Sequence, residues 1–209
     1  MSGKRTMRAV RVHEHGDFDV LRLEEVAVPE PGPGEVRVRV AWSALNHLDT
    51  WVRRGVPGHR FPLPMTPGCD FSGTVDACGA GVSGWQEGDR VTVAPGFGDA
   101  SSVQAGLGDH NLARDYGIYG ETCDGGNADY AVVRAENLLA VPDGFPLDLA
   151  AAFPLTYLTA WHMLVARCGP GTPMSGATVS GSTTPVGGAI VPPGAPVIPP
   201  APEPPASDS

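Results

Sequence analysis

Lysine is all but missing from this chain: Lys4 is its single example among 14 Lys plus Arg, set against 23 Asp plus Glu for a formal net charge of −9. That excludes a lysine-rich anion patch and a catalytic lysine. The acidic balance also argues against a nucleic-acid binder, which needs a basic face to displace counterions from phosphates. No apolar run approaches the roughly 18 residues of a membrane span. The opening Met-Ser-Gly-Lys-Arg-Thr has no apolar core of a secretory signal. The four cysteines (Cys69, Cys78, Cys123, Cys168) are scattered, with no C-x-x-C pair. Free thiols in a reduced, cytoplasmic protein are therefore expected rather than a disulfide framework.

The 28 glycines and 22 prolines are unevenly spread. From Gly169 to Ser209 the chain holds 11 of those prolines, no aromatic residue and no cation. Such a segment buries too little apolar surface to offset its ordering entropy. The expected organisation is a short disordered extension (1–6), a folded body (7–168) and a disordered Pro/Gly/Ala/Ser-rich tail (169–209). A body of ~150 to 170 residues buries roughly 70% of its unfolded surface, enough for one core.

Within the body, apolar and polar residues alternate with the period of a strand over Met7–Glu14, Leu21–Val28 and Glu35–Ala41, valines inward and arginines outward in the last. The run Pro29-Glu30-Pro31-Gly32-Pro33-Gly34 is a turn by composition. Phe71–Ala77, Arg90–Ala94, Ala128–Val133 and Leu138–Val141 read as further short strands. Asn46–Arg54 reads as a short helix ending at Gly55. Leu147–Phe153 and Tyr157–Ala166 read as late helices, the second carrying Trp161. Many short, closely spaced strands predict a closed or nearly closed β-barrel, a mainly β fold with a few short helices.

Six segments carry a resemblance: Met7-Arg8-Ala9-Val10, Ser43–Gly55 (SALNHLDTWVRRG), Met65–Val75 (MTPGCDFSGTV), Glu87–Val93 (EGDRVTV), Asp124–Val133 (DGGNADYAVV) and Leu155–Leu164 (LTYLTAWHML). In this order they resemble the N-terminal catalytic domain of the medium-chain dehydrogenase/reductase superfamily, the group of zinc alcohol dehydrogenases and zinc-free quinone oxidoreductases. The resemblance implies a GroES-like, partly open barrel and an oxidoreductase that uses NADP or NAD on a small carbonyl or quinone substrate. It further implies a Rossmann domain after the barrel. The tail supplies no such domain, so a truncated or frameshifted chain, inactive by itself and without the usual dimer surface, is the expectation.

The same resemblance places three catalytic-zinc ligand positions on Asn46, Cys69 and Leu155, and four structural-zinc positions on Asp99, Ser102, Ala105 and Ala113. A catalytic zinc needs three N, S or O ligands and a structural one four thiols or imidazoles, so no zinc is expected. What remains is similar to the zinc-free branch. There Asn46 and Asp49 stand as candidate catalytic residues, with Asn46 donating an amide N–H to the substrate oxygen as negative charge grows on it. Thr159 aligns with a threonine that contacts the nicotinamide ring. Trp51, Cys69 and Asp70 are candidate walls of the substrate pocket.

Each residue also has a plainer reading. Asn46 and Asp49 suit a helix cap and a first-turn acid; Cys69 suits a small buried thiol; Trp51 and Trp161 suit the core; Thr159 suits a structural hydroxyl. His47, Asp49, Cys69 and Asp70 form an improvised metal set on paper. His13, His15, His59, His110 and His162 read as surface residues. Gly79-Ala80-Gly81-Val82-Ser83-Gly84 satisfies G-x-G-x-x-G, but a strand and not a helix follows it, so a tight turn is expected. Two further functional readings stay open: a catalytically dead barrel serving as a binding module, and a zinc alcohol dehydrogenase with substituted ligands.

Overall fold

The computed structural model describes residues 5–99, 101–103, 107 and 110–167. Cys168 and the expected tail from Gly169 lie outside the described residues, as do residues 1–4 of the expected extension. Arg5 and Thr6, also placed in that extension, belong to the body. Strand β1 opens at Thr6 (Thr6–Val12) and Arg5 hydrogen-bonds the Tyr130 hydroxyl.

Strand β1 pairs antiparallel with β2 (Leu21–Ala27). The main sheet runs β8-β3-β4-β5-β9, from β3 (Glu35–Ala44), β4 (Asp70–Cys78), β5 (Arg90–Val93), β8 (Tyr130–Arg134) and β9 (Leu138–Ala140). The first hairpin is stitched on through bridges Ala9↔Ala128 and Val12↔Met65, which leaves the barrel partly open. Helix α1 (His47–Arg54) follows β3, and α2 (Leu147–Ala152) and α3 (Pro154–Trp161) follow β9. No helix among the described residues is long and apolar enough to cross a membrane.

The core is the inner face of the alternating strands: Val36, Val38, Phe71, Val75, Val91, Val93 and Val133. A smaller cluster of Val52, Phe61 and Met65 sits beneath α1. Strand β3 slips register twice against β4, between Arg37 and Val38 and between Val40 and Trp42. Such bulges bend a strand and raise its twist, which is how a sheet curls toward closure. Gly73 faces the second slip; a Cβ there would run into the Arg39 carbonyl oxygen.

Several expectations need correction. Arg37, expected to point outward, is buried, because the outer face of β3 is itself covered. Its guanidinium binds Asp76 Oδ2 at 2.7 Å, Glu30 Oε2 at 2.9 Å and the Pro29 carbonyl at 3.0 Å. The last helix begins at Pro154, three residues early, since proline's fixed φ suits a first helical position. Beyond Trp161 it widens into a π-helical turn over His162–Arg167. The long loop after β5 contains a small ribbon that the pattern did not show, β6 (Gly96–Phe97) with β7 (Gly117–Ile118). His13, His15 and His59 are exposed, as expected, and their rings reach Glu24 (2.8 Å), the Val52 carbonyl (3.0 Å) and Glu121 (3.6 Å). The Gly79–Gly84 segment is a turn between β4 and β5.

Candidate functional site

Strand β3 delivers the chain to Asn46, whose extended backbone (φ −120°, ψ 165°) makes it the N-cap of α1. Asp49, three residues on, accepts the Asn46 backbone N–H at 2.7 Å, the return half of a capping box. Helix α1 buries Leu48, Val52 and Arg53. Asp49 is therefore half-buried on its flank, and Trp51 lies 49% exposed, edge-on to His47 at 5.2 Å. Trp51 is not a core residue; it shares the outer side of the helix with His47.

Cys69 and Asp70 enter from the start of β4, where segment 66–68 is held backbone to backbone against 125–127. Gly125 N–H donates to the Thr66 carbonyl (2.7 Å), Gly126 N–H to the Gly68 carbonyl (2.7 Å) and Asn127 N–H to the Pro67 carbonyl (3.0 Å). Gly68 takes φ +103°, and a side chain there would meet the Asn127 backbone nitrogen at 2.7 Å. This contact fixes the next two residues: Cys69 and Asp70 are both completely buried.

Asp70 is the hub of the cluster. Its Oδ2 accepts the Asn46 Nδ2–H at 3.0 Å, and its Oδ1 accepts the Leu155 backbone N–H at 2.9 Å in the first turn of α3. The second Asn46 amide hydrogen goes to Cys69 Sγ at 3.4 Å. The three positions aligned with zinc ligands therefore do converge, around a carboxylate. Burial pushes the Asp70 and Asp49 carboxyls up from their ordinary range; the Asp49 charge adds to the shift at Asp70, and the N–H groups donated to each acid oppose it. Burial, then the charges of Asp70 and Asp49, push the Cys69 thiol far up. A thiol so resistant to ionisation is a poor nucleophile. Among the described residues no group of three His, Cys, Asp or Glu is placed to hold a metal ion. The donor set does not fit a zinc.

A cleft of about 620 Å³ reaches this cluster from outside, lined at that end by Trp42, Leu45, Asn46, Asp49, Thr50 and Arg53. Trp42 (56% exposed) and Leu45 (81%) form an apolar rim over the polar floor. Cys69 and Asp70 lie beneath the floor, and Trp51 is outside the lining. Thr159 is exposed on α3, four residues beyond Leu155 and so on the same helical face. Sequence reasoning missed Trp42 and Leu45, whose only signal was two apolar residues at the polar end of β3. It also missed the role of the Leu155 backbone, which no side-chain pattern reveals. At the expected structural-zinc positions, Asp99 instead organises a turn by accepting from the Ser101 amide (2.8 Å) and hydroxyl (2.6 Å). Ala105 lies outside the described residues.

Residues 32–143 match the alcohol dehydrogenase GroES-like domain family. Over 182 residues the chain is 31% identical to a quinone oxidoreductase of Lama guanicoe, an alignment covering 85% of this chain and 47% of that protein. Among solved structures it is similar to an NAD-dependent alcohol dehydrogenase (46% identity, TM-score 0.74, 77% of this chain and 47% of that one). It is also similar to a thermostable alcohol dehydrogenase from Pyrobaculum aerophilum solved with cobalt and zinc (37% identity, TM-score 0.71, 77% and 48%). The chain spans about half the length of the curated relatives it matches.

Proposed function

The chain belongs to the alcohol dehydrogenase GroES-like domain family, and from that premise we propose that it forms the substrate side of an NAD(P)-dependent oxidoreductase acting on a small carbonyl or quinone, of the zinc-free type. The observation that carries this reading is the Asn46–Asp70–Cys69 network at the foot of a cleft with an apolar rim. A reduced nicotinamide dinucleotide, when bound, supplies the hydride. The described residues offer its ring the exposed face of Thr159 on α3, and no strand–glycine turn–helix for its phosphates. In this reading turnover needs a dinucleotide-binding unit beyond them.

The chain's own residues polarise the acceptor. Asn46 spends one amide hydrogen on a thiol, a weak acceptor. A substrate oxygen gaining negative charge is a far stronger acceptor and takes that hydrogen over, while Asp70 keeps the other. The reduced oxygen also needs a proton. Asp49 lines the cleft and holds its proton more tightly than an ordinary carboxyl, so it is the group placed to exchange one. Trp42 and Leu45 provide apolar surface for a flat ring.

Titration of the full chain with 2-methyl-1,4-naphthoquinone, followed through backbone amide resonances, tests the reading. Saturable shifts at Asn46, Asp49 and Thr50, weakened about two- to tenfold by Asn46→Ala, are expected from the loss of one hydrogen bond to a neutral carbonyl oxygen. Saturable binding elsewhere only, or none, overturns it and leaves the barrel as a binding module for another kind of partner.

A further inference from the structure

Asp70 does more than floor the cleft. Helix α3 has no cap of its own: Phe153 occupies the N-cap position and makes no side-chain hydrogen bond, and Pro154 follows it. Its orphan Leu155 N–H is satisfied from another element, by Asp70 Oδ1. The other oxygen of the same carboxylate takes Asn46 at the N-cap of α1. One completely buried side chain therefore joins the starts of two helices that the sequence separates by about a hundred residues. An acceptor-only group facing Asn46 also decides which end of that amide points inward. We propose that Asp70 is the positioning residue of the site: it orients the Asn46 amide toward the acceptor and sets the register of α3, and with it Thr159, through one hydrogen-bonded bridge.

This assignment rests on the proposed roles of Asn46 and Thr159 for its functional meaning, but the bridge is testable without ligand. Asp70→Ala removes both acceptors, so hydrogen exchange at the Leu155 amide rises by about ten- to a hundredfold, as expected for loss of a hydrogen bond to a charged group. Asp70→Asn separates capping from positioning. An asparagine still accepts from Leu155 through Oδ1, so that amide stays protected within about threefold. Its new NH₂ group faces the Asn46 NH₂ group and forces that amide to turn over. The Asn46 side-chain NH₂ resonances then move and exchange faster, and naphthoquinone affinity falls about two- to tenfold. Adding Asn46→Asp to Asp70→Asn restores the bridge with its polarity reversed: the thermal midpoint recovers toward wild type while quinone affinity does not. Should Asp70→Ala fail to fold, the isosteric Asp70→Asn carries the test alone. Unmoved Asn46 NH₂ resonances in Asp70→Asn, or an equally protected Leu155 in a folded Asp70→Ala, overturn the proposal. If the bridge behaves as described but naphthoquinone never binds, the functional reading fails and the bridge stands.

Discussion

The buried thiol of Cys69 makes a sharp prediction about alkaline stability. In the unfolded chain a cysteine ionises near pH ~8.5. In the folded chain burial, with the charges of Asp70 and Asp49, holds its ionisation far above that. A folded pKa raised above the unfolded one contributes stability that is whole below the unfolded value and is lost as pH rises, because only the unfolded state sheds the proton. The loss approaches about 1.4 kcal/mol per pH unit above the unfolded value, so it is about 2 kcal/mol between pH ~8.5 and pH ~10.5 from this one group. Cys123, pushed up to about 11, and Tyr119, pushed up to about 12, bend the curve the same way. The quantity to read is therefore the difference between wild type and Cys69→Ala. Urea unfolding under reducing conditions, followed by tryptophan fluorescence at pH 8 and pH 10.5, gives it directly. Cys69→Ala costs stability at both values but loses about 2 to 3 kcal/mol less than wild type on going alkaline. Parallel losses in the two proteins would refute the reasoning, for they would mean the thiol titrates as freely in the fold as out of it.

Other perturbations address the frame around the site. Asp76→Asn removes one of two carboxylates from the Arg37 guanidinium, which keeps Glu30 and the Pro29 carbonyl, and is expected to cost about 1 to 3 kcal/mol in chemical unfolding. Gly73→Ala drives a methyl group into the Arg39 carbonyl at the β3–β4 slip; a loss of about 1 to 3 kcal/mol is expected, with faster amide exchange along β4. Leu158→Glu and Met163→Glu alter exposed apolar residues of the last helical segment. They should lower dye binding to apolar surface and concentration-dependent light scattering while leaving unfolding stability within about 0.5 kcal/mol of wild type. Prolonged chelation with EDTA should not shift the thermal midpoint at all, since the donors around Asn46 do not fit a zinc.

The strands were legible because half-buried sheet writes its period into the sequence: β2, β3, β5 and β9 start where the alternation starts. Helix α1 was legible from Asn46 and Gly55, two residues whose chemistry marks ends. Arg37 was not, because alternation reports which face meets the core and says nothing of a second cover made by Pro29, Glu30 and Tyr130. The ribbon β6–β7 escaped because two residues per strand carry no period. At the site, the candidates Asn46, Asp49, Cys69 and Asp70 were named from the chain, and the structure gathers them at one place. Their connectivity was invisible, since it runs through the Leu155 backbone and through a glycine contact that only three-dimensional proximity creates. Trp51, a candidate pocket wall with the core as its plainer reading, lies in neither, since no sequence pattern tells one side of an eight-residue helix from the other.

A side chain on Gly120 or Gly125 would strike the Gly68 backbone, and one on Gly68 would strike the Asn127 backbone. The scaffold that holds the reactive positions is thus written in residues with no chemistry of their own, while the half-buried Leu155 side chain is free of it. Randomising the chain at 155 should return many folded sequences with diverse chemistry, whereas randomising 68, 120 and 125 should return almost nothing but glycine. The fold thereby separates what can be reinvented from what must be inherited.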